Sequence, residues 1–98
     1  MKIEKKLSGD TMTVALEGRL DTLTAPLLKA DLSNSLDGVK ELIMDFTDLE
    51  YISSAGLRVL LDLNKIMTNK GRMRIVNTSE IVREVFEVTG FTDIITVE

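Results

Sequence analysis

Ser53 and Ser54 stand side by side between Leu49-Glu50-Tyr51-Ile52 and an apolar-periodic run that opens with Ala55-Gly56-Leu57. A serine at such a junction has two kinds of chemistry open to it. Its hydroxyl can accept a hydrogen bond from an N–H two or three residues on and so cap a helix. It can instead take a phosphate, which a helix N-terminus favours and which brings about −1.5 to −2 charges with three acceptor oxygens. Ala55 and Gly56 are small enough to let another protein's active site approach. Spacing alone leaves capping and phosphorylation both open.

Acidic residues supply the other candidate chemistry. Asp45, Asp48 and Glu50 follow an apolar run, and Asp21 sits in a connection expected at the same sheet edge. Paired carboxylates can act as acid and base or hold Mg²⁺. Acids in turns are more often solvated, and Asp45 is expected to accept from turn N–H groups. Lys70-Gly71 is the only Lys-Gly pair, in the wrong order for a phosphate-binding loop. A phosphoaspartate receiver would need an acidic pair after the first strand and a lysine after the last, and neither is present. With no His and no Cys, there is no Cys/His metal site, redox dithiol, disulfide or Ser-His-Asp nucleophile within these residues. No catalysis, cofactor or metal is expected.

The chain has 98 residues, 16 acids against 12 bases and a net charge of −4. That balance argues against direct nucleic-acid binding, which asks for a basic stripe. A chain this long predicts a folded surface of roughly 5,600 Å² and a single core, hence one domain over residues 1–98. MKIEKKL is followed by no apolar run, and apolar stretches reach only three or four residues, so neither a signal peptide nor membrane insertion is expected. The expected location is cytoplasmic.

Alternation at Ile3-Lys5-Leu7 and Met12-Val14-Leu16 around Ser8-Gly9-Asp10 predicts a hairpin, with Gly18 ending its second strand. Lysines on the first strand guard its edge. Thr24-Ala25-Pro26 predicts a helix start capped by Thr24, with Leu28, Leu32 and Leu36 on one face and a stop at Asp37-Gly38. Leu42-Ile43-Met44 predicts a buried strand and Asp48 to Ser53 a turn. A helix from Ser54 to Asn69 follows, with a stripe of Leu57, Leu60, Leu61 and Met67 broadened by Leu63 and Ile66, closed by Gly71 as the C′ glycine. Met73, Ile75 and Val76 predict a strand. Thr78 or Ser79 caps a third helix carrying Ile81, Val82, Val85 and Phe86, which Gly90 ends, and Ile94 to Val97 give a last strand. The methionines at 12, 44, 67 and 73 read as core fillers. Tyr51 and Phe91 are expected to close the core, and Arg72, Arg74, Arg83, Glu84 and Glu87 to form solvated faces. The order β-β-α-β-α-β-α-β implies an α/β fold: a mixed, mostly parallel sheet with an N-terminal hairpin and three helices.

Four separated segments resemble one family: Gly18-Arg19-Leu20-Asp21, Met44-Asp45-Phe46, Tyr51-Ile52-Ser53-Ser54-Ala55-Gly56-Leu57, and Phe86 through Ile95. Together they look like the STAS domain of bacterial anti-sigma-factor antagonists. The resemblance implies a regulatory module that binds an anti-sigma factor, itself a serine/threonine kinase, and thereby releases sigma factor. That kinase phosphorylates a serine at the start of the helix after the third strand, and a PP2C-type phosphatase restores binding. Against the family pattern Asp-Ser-(Ser/Thr)-Gly-Leu, the phosphoacceptor falls on Ser54, with Ser53 second. Ser53 replaces the family's aspartate, which removes a negative charge beside the acceptor. Asp21, Thr22, Ser53, Ala55, Gly56 and Arg58 are the partner-binding residues that the resemblance implies. STAS domains also resemble accessory subunits of ABC lipid-transport complexes, the alternative reading.

Overall fold

The computed structural model describes residues 1–98. The elements are β1 (Lys2–Ser8), β2 (Thr11–Leu20), α1 (Ala25–Ser33), β3 (Glu41–Ile52), α2 (Ser54–Thr68), β4 (Arg72–Val76), α3 (Glu80–Val88) and β5 (Thr96–Val97), with a 3₁₀ turn at Phe91–Asp93. They form a single sheet in the order β1-β2-β3-β4-β5. β1 runs antiparallel to β2, and every other neighbouring pair is parallel. This is the expected order. The hairpin is tight, because Ser8 pairs with Thr11 and only Gly9 and Asp10 turn the chain. Gly9 has φ 60° while Asp10 stays negative, so the one residue without a Cβ takes the left-handed position.

The register separates the two faces of the sheet. Lys6, Thr13, Ile43, Arg74 and Thr96 align across the five strands on one face. Met12, Val14, Leu16, Leu42, Met44, Phe46, Met73 and Ile75 point the other way and are buried. The buried side chains of all three helices join these in one cluster of 24 apolar residues, which includes the four predicted methionines. No polar residue is buried. The surface of 5559 Å² matches the value expected from chain length.

β3 departs most from expectation, continuing to Ile52 where a turn is predicted from Asp48. Its burial runs Leu42, Met44, Phe46, then Leu49 and Ile52. The spacing changes from two to three because the register slips twice: Ala15 pairs with Asp45 but Glu17 with Asp48, and Gly18 pairs with Leu49 but Arg19 with Tyr51. Each slip inserts an extra β3 residue, a bulge that turns the strand and leaves exposed residues in pairs. β2 keeps its period of two and passes through Gly18, at φ 104°, to a buried Leu20, so Gly18 does not end the strand.

Several helix boundaries also differ from expectation. α1 stops at Ser33, so Leu36 is buried from the following loop and Asp37-Gly38 is not the helix stop. α2 buries Gly56, Val59, Leu60, Leu63 and Met67, leaving Leu57 and Leu61 at the margin and Ile66 exposed. Gly71 has no positive φ and is not a C′ cap; a Cβ there would lie 1.7 Å from the Lys40 carbonyl oxygen. Close approach of two backbones is the reason for that glycine. Ser79 caps α3 through Val82 N–H, and Gly90 at φ 75° follows the helix as predicted. Phe91 stacks on Phe86 at 5.1 Å from the 3₁₀ turn, and the last strand, predicted from Ile94, is only Thr96–Val97. Arg74 is not freely solvated, since it joins Glu41 and Glu98 at 3.5 and 2.8 Å.

Candidate functional site

The bulged end of β3 delivers the chain to α2 beside the end of β2. Ser53 N–H donates to the Leu20 carbonyl at 2.9 Å, tying the two strand ends together. Ser53 itself is extended (φ −100°, ψ 175°), and its hydroxyl accepts from Gly56 N–H at 3.3 Å. It is therefore the N-cap of α2, half-buried and committed to the backbone. Ser54 is the first helical residue and is exposed. The two adjacent serines thus have different environments.

Gly56 belongs to the interior. A Cβ at this position would come within 2.8 Å of the Leu20 side chain and 2.9 Å of both the Leu20 carbonyl oxygen and Ile52. Its small size lets the start of α2 settle against Leu20 at the end of β2, and Gly56 is buried there rather than lying on the surface. Ala55 is half-buried, while Thr22 and Arg58 are exposed.

The β2–α1 loop is organised by Asp21 and Thr24. Asp21 accepts from Leu23 N–H at 3.0 Å and Thr24 N–H at 3.1 Å. The Thr24 hydroxyl accepts from Asp21 N–H and donates to the Arg19 carbonyl at 2.7 Å. Thr24 occupies the cap position with helical dihedrals and makes no side-chain cap bond, so the predicted N-cap is replaced by this mutual loop. The Thr24 N–H, foremost, and then Leu23 N–H, the Thr24 hydroxyl and Arg19 hold the Asp21 carboxyl below its usual range despite partial desolvation. Asp21 thus shapes its own loop. Arg19 lies 3.8 Å from that carboxylate, and its guanidinium sits 4.3 Å above the Tyr51 ring. Tyr51 is thereby half-exposed under a cation rather than closing the core.

Between α1 and α2 runs a groove of about 360 Å³ lined by Ala25, Pro26, Ala55 and Val59, with Thr22 and Arg58 also on it. Lys29 and Asp62 meet across it at 3.1 Å. Leu23 and Leu27 are 83% and 62% exposed on the same loop and helix. The sequence pattern places Leu27 as flanking the Leu28–Leu32 stripe, whereas Leu23, which precedes the helix, was not singled out.

The acids separate. The Asp45 carboxylate accepts from Thr47 N–H at 3.0 Å, the Thr47 hydroxyl at 2.6 Å and Asn77 Nδ2 at 3.2 Å. Those bonds, led by the Thr47 hydroxyl, hold it below its usual range. It fastens the first β3 bulge to the residue after β4. Asp48 and Glu50 line a different, open cavity of about 450 Å³ with Glu17, Gly18 and Thr47.

Comparison with known proteins places this arrangement. BtrV of Bordetella bronchiseptica, a candidate anti-sigma factor antagonist, is 39% identical over 88 residues, covering 87% of this chain and 76% of BtrV. The anti-sigma-B factor antagonist of Bacillus subtilis is 27% identical over 97% of this chain and 88% of its own length. The anti-sigma factor antagonist SpoIIAA in its unphosphorylated form superposes with a TM-score of 0.85 at 23% identity, covering 99% of this chain and 88% of SpoIIAA. The Bacillus cell fate determinant SpoIIAA in its phosphorylated form gives 0.76 at 22% identity, covering 99% and 91%. The STAS domain model matches residues 2–98, and the chain belongs to the STAS domain family.

Proposed function

We propose that residues 1–98 act as one STAS domain whose function is that of an anti-sigma factor antagonist, switched by phosphorylation of Ser54. Relatives that bear this name align over most of the chain. The observation that carries the switch is the division of labour between the two serines: Ser53 is held by Gly56 N–H, while Ser54 is exposed at the first position of α2. Serine and aspartate both cap helices well, so Ser53 keeps the structural role open to the family's aspartate while lowering the local negative charge. A phosphate on Ser54 meets the positive end of the helix and leaves the fold intact. SpoIIAA, which shares the fold, has been solved with and without phosphate.

The partner surface in this reading is the groove between α1 and α2. Leu23 and Leu27 supply apolar contact, and Thr22, Ala55 and Arg58 line the groove, Ala55 directly following the acceptor in sequence. Unphosphorylated, this surface binds an anti-sigma factor with serine/threonine kinase activity. Phosphate at its edge introduces repulsion and desolvation on binding. A loss of about 3 kcal/mol lowers affinity more than 100-fold, enough for a switch. The chain acts as ligand and substrate, the kinase uses ATP, and a PP2C-type phosphatase resets the site. Affinity capture from the native cell with wild-type and Ser54→Asp baits, followed by mass spectrometry, tests this. A kinase-like anti-sigma factor should be retained by wild type and lost from Ser54→Asp. Equal retention refutes the switch, phosphate found only on Ser53 refutes the site, and a permease with its ATPase establishes the transport-subunit reading instead.

A further inference from the structure

α3 is apolar over a wider arc than the sheet covers. Val82 and Phe86 are buried against the core. Ile81, Val85 and Val88 recur at four and three residues, so they share a second stripe about 110° around the helix from the first. Ile81 is 63% and Val88 80% exposed, with Val85 half-buried between them. With Glu84 and Thr89 they line an open groove of about 290 Å³. This groove lies on α3, which packs on β3, and is distinct from the groove between α1 and α2.

Charge and size limit what fits there. The polar side of α3 carries Glu80, Glu84, Arg83 and Glu87; Arg83 faces Glu87 at 3.5 Å, which leaves Glu80 and Glu84 unneutralised along the stripe. A second copy of the chain laid antiparallel on the same helix would set Glu84 against its own copy with the two-fold axis at Glu84, and Glu80 against Glu84 with the axis at Val82, so both of these registers oppose like charges. The nine residues of α3 span only about 14 Å, too little for the roughly 1,200–2,000 Å² of a stable interface between folded domains. From this we infer that the α3 groove docks a short amphipathic helical segment of a partner protein, two turns of apolar residues flanked by Lys or Arg. Apolar anchors fill the space between Ile81, Val85 and Val88, and the basic flank lies along Glu80 and Glu84.

The test uses a synthetic helical peptide with leucines at positions 1, 4, 5 and 8 and lysines beside them, titrated into the ¹⁵N-labelled full chain. Amide shifts should concentrate at residues 80–90 with a Kd on the order of 10–100 µM, as suits so small a contact. Affinity should fall severalfold between low and moderate salt, because the acidic flank is exposed. Val88→Ser removes an exposed side chain, so the fold survives, and it should weaken binding severalfold. The inference is overturned by the absence of shifts at millimolar peptide, or by equal binding of a peptide with glutamates for the lysines. Shifts centred on the Ser54 edge, or a dimer in sedimentation that Val88→Ser dissolves, overturn it too. None of these outcomes depends on Ser54, so the phosphoswitch stands or falls separately.

Discussion

Replacing the two serines one at a time separates their roles. Ser53→Ala deletes the oxygen that accepts Gly56 N–H. Losing a serine N-cap costs about 0.5–2 kcal/mol, and a bond of 3.3 Å is long, so about 1 kcal/mol is expected. For a domain of this size that lowers Tm by about 4–8 °C. The Leu20–Ser53 backbone bond remains, so the start of α2 loosens without moving far. Ser54→Ala removes an exposed hydroxyl and should change stability by less than about 0.5 kcal/mol. With no Trp present, urea or thermal unfolding followed by far-UV circular dichroism is the direct assay. Phosphorylation by the cognate kinase should behave in reverse, surviving in Ser53→Ala and vanishing in Ser54→Ala. If Ser54→Ala destabilises as much as Ser53→Ala, the cap has been placed on the wrong residue. If Ser53→Ala alone abolishes phosphate incorporation while the fold persists, the acceptor has.

Two glycine substitutions should destabilise in graded fashion. Gly56→Ala sets a Cβ 2.8–2.9 Å from Leu20 and Ile52, the Leu20 carbonyl oxygen included, so α2 must shift, and it should cost about 1–3 kcal/mol, whereas Gly71→Ala, with its Cβ 1.7 Å from the Lys40 oxygen, should cost more; urea midpoints in the reverse order refute this. Asp45 gives a pH signature. Its folded carboxyl lies below the ordinary 3.8, so the stability it contributes is full above that value and is lost as pH falls through the lower folded one. Asp45→Asn should therefore flatten the acid limb of a stability–pH curve, and an unchanged slope counts against the Thr47 and Asn77 bonds.

The element order was legible in the residues because each helix and each early strand carries an uninterrupted period, from Met12-Val14-Leu16 to Val82 and Phe86. Beyond Phe46 that period fails. Leu49 and Ile52 follow at three-residue steps, a pattern that reads as a turn unless the partner strand is known. The bulges exist only as mismatched pairing with Glu17 and Arg19, so no local rule finds them. Helix ends were misplaced for a similar reason. Thr24 looks like a cap by residue type, but its hydroxyl is drawn to Arg19 and Asp21.

At the site, sequence alone determined that a serine pair opens α2 and that small residues follow it. Residue type and spacing are local quantities, and capping chemistry depends on little else. Which serine is engaged and which is exposed was decided by how the start of α2 meets Leu20 at the end of β2. Leu20 accepts from Ser53 N–H and leaves no room for a side chain at position 56, and these contacts join residues more than thirty apart in the chain. Gly56 moved from surface to interior by the same contact, and the exposure of Leu23 and Leu27 emerged only once Leu28 and Leu32 had filled the inner face of α1. Hydrophobic pattern says that a face is apolar; only packing says which apolar residues are left over.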